Sequence, residues 1–168
     1  GLDDFRGAEA DLTKAIELAP DHYWNYIDRG RIRFLGTGNT LGALEDFERA
    51  IELDPAQFYP YVYRGLLYDQ LERWSEAIED YERVLAERSD YYYVYEPLGL
   101  LYYLDERWDD AIEYLGKAYE LRSEDHAYAL LIALCYFRSD RANDAKTYLD
   151  RAMARMPRES VPYQLARL

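Results

Sequence analysis

The chain has one cysteine, Cys135, and two histidines, His22 and His126, in 168 residues. A single cysteine excludes an internal disulfide framework and a cysteine-rich zinc site. Two histidines leave little material for histidine-based acid–base chemistry. Apolar residues nowhere run on for the ~18 that a membrane-spanning helix needs. Positive charge is scarce as well: 20 Lys and Arg stand against 33 Asp and Glu, a net charge of −13. Without a basic footprint for phosphate, nucleic acid is not an expected partner. The segment Gly36-Thr37-Gly38 is not followed by the Lys-Ser/Thr of a phosphate-cradling loop. Acidic clusters such as Asp105-Glu106 with Asp109-Asp110-Glu113 lack the glycine-turned spacing of a calcium loop and read as solvated faces. No metal, cofactor or catalytic residue is therefore expected, and the chain reads as a non-enzyme. Its first residue is Gly1, not Met. Gly1 reads as a processing scar, so a missing targeting signal leaves the compartment open.

What is abundant is apolar and aromatic. Hydrophobic residues make up 49% of the chain, enough for a packed core, and 19 tyrosines outnumber five phenylalanines. Charge is uneven. Residues 138–168 carry a net +3 and residues 1–137 a net −16. Opposite-signed ends can steer an encounter with a partner or another copy, although solvated faces are the plainer reading.

The sequence repeats. Ala43, Ala77, Ala111 and Ala145 fall 34 residues apart, as do Gly65, Gly99 and Ala133, and Tyr68, Tyr102 and Tyr136. Trp74 and Trp108 keep the same phase, as do Tyr61 and Tyr95. Pro20 and Pro55 are 35 apart. Residues 58–91 laid over 92–125 share fourteen identities in 34 positions. A period of this length means stacked supersecondary units.

Each unit reads as two short amphipathic helices. In 58–91 the first is expected from about Pro60 to Leu71, with Tyr61, Leu67, Tyr68 and Leu71 at helical spacing. Pro60 suits a first turn, whose N–H has no helical partner anyway. The second is expected from Trp74 or Ser75 to Ala86. Ile78, Tyr81, Val84 and Leu85 form its apolar face, and Glu76, Glu79, Asp80 and Glu82 the acidic one.

These columns resemble the tetratricopeptide repeat, a 34-residue helix-turn-helix family. The resemblance rests on Tyr61, Gly65, Tyr68 and Ala77, then Tyr95, Gly99, Tyr102 and Ala111, with closing prolines at Pro20, Pro55 and Pro157. It implies an all-α, right-handed superhelical solenoid, read as one domain over 1–168. The divisions are a half-unit 1–22, full units 23–57, 58–91, 92–125 and 126–159, and the start of a further first helix at 160–168. Unit 23–57 has one extra residue, placed in the turn Gly36-Thr37-Gly38-Asn39, and carries Arg33 where others have Tyr. Arg64 stands in a usually apolar column, so its head is expected to reach outward. Pro97 implies that its helix begins near Tyr95 or is kinked. His22 and His126 are expected at exposed corners, and Cys135 in the core.

In this family the first helices line the concave side. The face that packing leaves free there would comprise Trp24, Ile27, Asp28 and Arg31, then Tyr59, Val62, Tyr63, Leu66 and Asp69. It would continue with Tyr93, Glu96, Leu100 and Tyr103, then Leu130, Leu131, Leu134 and Phe137. A face apolar on this scale is normally an interaction site. The resemblance implies a scaffold holding a peptide or amphipathic helix of a partner protein in a tyrosine-rich groove. Of the positions that clamp a terminal carboxylate in chaperone-binding members, only Arg31 could serve, so that mode is not expected. The alternative is a self-assembling module, joined head to tail or through the groove as a homo-oligomer.

Overall fold

Every 34 residues the backbone takes one left-handed step: Gly38 (φ 71°), Glu72 (57°), Glu106 (57°) and Asp140 (59°). Each step ends a first helix and turns the chain into a second. The residue after it donates its N–H five residues back: Arg73 to the Tyr68 carbonyl (2.8 Å), Arg107 to Tyr102 (2.9 Å) and Arg141 to Tyr136 (2.9 Å). In the earliest corner Asn39 reaches six residues back, to Arg33 (2.7 Å). The additional residue of unit 23–57 is therefore absorbed inside the first helix, where 32–37 is wound as a π-helix. It does not lengthen the glycine-rich turn, because a π-turn accommodates one inserted residue while keeping backbone hydrogen bonds.

Three of these corners share a clasp. Arg73, Arg107 and Arg141 lay their guanidinium groups over Tyr68, Tyr102 and Tyr136, 4.3, 4.2 and 4.6 Å from the ring centres. The same arginines donate from Nε to Glu76 (2.8 Å), Asp110 (2.8 Å) and Asp144 (2.9 Å), acids in the first turn of the following helix. There the helix dipole also favours negative charge.

In this computed structural model residues 2–157, 159 and 161–166 are described, with the side chains of 2, 3, 161 and 163 left aside. Their regular elements are all helices, and these form two units, 1–90 and 91–168. The first unit contains α1 (Leu2–Leu18), α2 (Tyr23–Arg31, continued by the π-turn), α3 (Thr40–Leu53), α4 (Tyr59–Gln70) and α5 (Trp74–Glu87). Successive helices pack on one another, α1 on α2, α2 on α3, α3 on α4 and α4 on α5. The second unit contains a 3₁₀ turn at Tyr92–Val94, α6 (Tyr95–Leu104), α7 (Trp108–Leu121), α8 (Ala127–Arg138), α9 (Ala142–Met153) and the short α10 (Val161–Ala166). Here too neighbours in sequence pack together, α6 on α7, α7 on α8 and α8 on α9. Helix α6 begins at Tyr95, two residues before Pro97, so the proline occupies the first turn and kinks nothing.

The helices of a pair approach closely where side chains are small. A Cβ on Gly65 would lie 2.8 Å from the Tyr81 ring, and one on Gly99 2.9 Å from the Leu115 backbone nitrogen. Ala43, Ala77 and Ala111 are fully buried opposite such contacts. In the first unit Tyr26, Ile27 and Ala50 form a core cluster joined by Ile16, Tyr23, Leu53, Tyr59 and Tyr63. In the second, Ala129, Ala152 and Met156 gather Tyr119, Tyr148 and Met153. Tyr68, Tyr81 and Tyr102 are buried in the core, whereas Tyr61, Tyr95 and Tyr136 are half-buried.

Arg64 does not reach outward. It forms a two-pronged ion pair with the buried Asp80, and Arg29 does the same with Asp46 one repeat earlier. A charge in an apolar column of the first helix is met by a charge on the second, which satisfies both without solvent. At the corresponding positions of the second unit stand Leu98 with Tyr114 and Ile132 with Tyr148. His126 is likewise not an exposed corner residue. It is buried, with Nδ1 2.7 Å from the Tyr119 hydroxyl, a partner that removes the cost of burying the ring nitrogen.

Candidate functional site

The first helices of the first unit use one side for the core and present part of the other to solvent. Ile27 (1% exposed) and Val62 (7%) lie on the core side. They belong to the packing and not to an accessible face. The reason is local: Ile27 sits in the cluster with Tyr26 and Ala50, where α2 and α3 meet. Trp24 is instead exposed at 37%, and its ring lies 5.4 Å from that of Tyr59. Tyr63 is half-buried, stacked on Phe47 at 5.8 Å, with the Arg31 guanidinium over its ring 5.2 Å from the centre. Arg31 also donates to Asp28 (3.1 Å), so it is not a free clamp for a carboxylate. Leu66 is open to solvent.

Two hollows flank these residues. One, of about 500 Å³, lies between α1 and α2 and is lined by Phe5, Leu12, Ile32 and Leu35, with Asp11, Asp28 and Arg31 at its margin. The other, also about 500 Å³, is lined by Phe34, Leu35, Leu66, Asp69 and Gln70. Phe5, Leu35 and Asp11 were not among the residues expected from the repeat columns. The signal for Leu35 was present, since it follows Arg33 and Phe34 in the segment that carries the additional residue. Winding that segment as a π-helix changes which side chains face outward, and Leu35 ends 65% exposed.

In the second unit the expected residues fall into two groups. Tyr93 (65% exposed), Leu134 (39%) and Phe137 (64%) are open to solvent. Leu100, Tyr103, Leu130 and Leu131 are half-buried, Tyr103 lying edge-on to Trp108 at 5.6 Å. Glu96 is bonded by Arg122, the residue that caps the C-terminus of α7, whose guanidinium also lies 5.3 Å from the Tyr128 ring centre. Tyr92, Tyr93, Glu96, Ala118, Leu121 and Arg122 line a hollow of about 410 Å³. Its walls offer apolar contact, tyrosine hydroxyls and one internal ion pair.

The Cys135 thiol is fully buried, and burial pushes it up to about 11, so it stays protonated and inert. Among the described residues, no group of three or more His, Cys, Asp and Glu is arranged to hold a metal ion. Among them, too, no helix is long and apolar enough to cross a membrane.

Residues 32–93 match the family described as tetratricopeptide repeat. Residues 70–152 match the one described as anaphase-promoting complex, cyclosome, subunit 3. No curated protein sequence matches the chain. Among solved structures, MamA superposes with a TM-score of 0.75 at 23% identity over 90% of this chain and 82% of its own. YrrB, described as a TPR protein with an unusual peptide-binding site, superposes with a TM-score of 0.75 at 22% identity, over 92% of this chain and 81% of its own. A tetratricopeptide repeat protein from Parabacteroides merdae gives 0.74 at 21% identity, over 96% of this chain and 64% of its own. At these identities the likeness concerns the fold: an α-helical solenoid of helix-turn-helix repeats.

Proposed function

We propose that this chain, a protein built of tetratricopeptide repeats, is a non-catalytic scaffold whose first helices hold a peptide or amphipathic helix of a partner protein. A protein partner is what the repeat fold implies. The observation that carries the finer reading is the exposure of large apolar side chains on those helices and the turn leading into one of them: Leu66 in the first unit, Leu134 and Phe137 in the second, and Tyr93 in the 3₁₀ turn before α6. Side chains of this size gain about 1.5–3 kcal/mol each when they are covered. Tyrosine adds a hydroxyl for a partner's backbone and loses little rotamer freedom on binding. The contact residues proposed are Trp24, Tyr59, Tyr63 and Leu66 in the first unit and Tyr93, Leu100, Tyr103, Leu130, Leu134 and Phe137 in the second, with Arg31 and Glu96 as polar edges.

The test is site-specific photocrosslinking. A photoreactive phenylalanine analogue at Leu66 or Tyr93 is expected to label a partner. The same group at Glu79 or Glu113, exposed on second helices, is expected to label none. Equal labelling from both sets of positions would overturn the assignment of the binding face to the first helices.

A further inference from the structure

The two hollows of the first unit adjoin, because Leu35 lines both. Together they make one trough across α1, the π-turn and α4. Its apolar wall is Phe5, Leu12, Leu35 and Leu66, and a carboxylate stands toward each end, Asp11 on α1 and Asp69 on α4. We infer that this trough docks a partner segment whose apolar stripe is flanked by lysine or arginine side chains. The inference rests on the proposed scaffold function and names the chemistry of the partner for this unit.

Charge complementarity decides the sign. Residues 1–90 hold ten Lys and Arg against twenty Asp and Glu, a net of −10. The arginines are already occupied. Arg29, Arg31, Arg33, Arg49, Arg64, Arg73, Arg83 and Arg88 each bond a carboxylate of the same unit. What remains for a partner is uncompensated negative charge. Within the trough, Arg31 is paired with Asp28. Asp11 and Asp69 form no ion pair among the described residues, although Arg31 lines the same hollow as Asp11. Burial alone pushes the Asp69 carboxyl above its ordinary value. A half-buried carboxylate with no counter-ion favours an incoming cation, since the pair forms where water screens it least. An acidic segment would meet repulsion at both ends of the same apolar wall. The adjoining geometry also sets the pattern of the ligand: leucine-like residues at helical spacing for the wall, then a basic residue beyond either end.

The experiment uses the full chain and two labelled synthetic peptides of about 16 residues. Both carry leucines at i, i+4, i+7 and i+11. One has lysines flanking the stripe and the other glutamates. Fluorescence anisotropy is expected to show the lysine peptide binding at least about tenfold tighter at low salt, with the gap closing as salt is raised. Asp69→Asn and Asp11→Asn should each narrow the gap without moving the urea midpoint, and Leu35→Ser should weaken both peptides alike. Equal affinity for the two peptides overturns the charge assignment and leaves the apolar docking face standing. Failure of both peptides to bind a folded chain overturns the inference together with the scaffold reading of this unit. A concentration-dependent dimer that Leu35→Ser converts to monomer makes the occupant a second copy, and the inference falls.

Discussion

Arg64 grips Asp80 with two parallel bonds across α4 and α5, Nη2 to Oδ1 at 2.7 Å and Nε to Oδ2 at 2.8 Å. Burial pushes the Asp80 carboxyl above its ordinary value, against the pull of the guanidinium. Losing one partner of such a pair strands the other. Arg64→Leu should lower stability by about 3–5 kcal/mol, while an apolar replacement of the whole pair is far better tolerated. The second unit shows which replacement suits the fold, Leu98 with Tyr114. The double change Arg64→Leu with Asp80→Tyr should therefore recover most of the loss. Urea unfolding of the two variants and wild type measures this, and a double variant no better than the single would mean that the pair adds specific stability of its own.

Two glycines on helices of the second unit should respond to alanine with opposite signs. At Gly99 a Cβ would stand 2.9 Å from the Leu115 backbone nitrogen, which cannot swing aside. Gly99→Ala should cost about 1–3 kcal/mol, and Gly99→Leu more. At Gly116, in α7, nothing lies within 4 Å of the Cβ position. Gly116→Ala should stabilise by about 0.5–1 kcal/mol through helix propensity. Paired thermal melts read the difference directly.

The Tyr81 hydroxyl is buried and has no hydrogen-bond partner among the described residues. Phe47 holds the same position one repeat earlier. Tyr81→Phe should thus raise stability by about 1 kcal/mol, because it deletes an unsatisfied polar atom and leaves the ring. Alkaline pH should sharpen the contrast. Burial pushes the Tyr81 phenol beyond the ordinary tyrosine range and the Tyr148 phenol up to about 12. The fold therefore prefers both phenols neutral. That stability is intact below the unfolded phenol value of about 10 and is lost as pH rises beyond it. The urea midpoint should hold steady from about pH 7 to 9, then fall between about 10 and 12, less steeply in Tyr81→Phe and Tyr148→Phe.

The left-handed corners give a backbone test. Glu72 and Glu106 adopt φ 57°, a conformation that costs a residue with a Cβ about 1 kcal/mol or more. Glycine there should be neutral or stabilising by up to about 1 kcal/mol, and Gly38→Ala should lose about as much.

Exposed and buried members of the first-helix faces should separate by readout. Tyr93→Ser and Phe137→Ser alter side chains about two-thirds exposed. They should weaken partner binding and leave the melting temperature within a degree or two. Ile27→Ser empties a core position and should cost about 3–5 kcal/mol. A Tyr93→Ser variant that binds normally would remove that tyrosine from the contact surface.

The period of 34, the two-helix unit and the positions of close approach were all readable before any coordinates. They are local facts. An apolar face at helical spacing and a small residue in the column where paired helices meet each recur along the chain and reinforce one another. Pro97 narrowed α6 to a start near Tyr95 or a kink, and the helix takes the first course, with the ring in its first turn. Three matters were not readable. Arg64 looked like a surface residue because its partner, Asp80, lies 16 positions away on another helix, and neither charge alone reveals the other. His126 looked exposed because the Tyr119 hydroxyl that satisfies it belongs to the preceding helix. The π-turn moved Leu35 into the open because an inserted residue can be absorbed in a loop or in a helix at similar cost, and the pattern does not choose.

Periodicity along one chain thus determined the repeats and which residues sit on a common helical face. It could not determine how wide a strip of each face the neighbouring helices cover. Ile27 and Leu66 both belong to the strip named from the pattern, yet one is sealed in the core and the other is open to solvent. That division depends on the rotation and spacing of packed helices, which are set by the volumes of side chains distant in sequence and so exist only in the folded molecule.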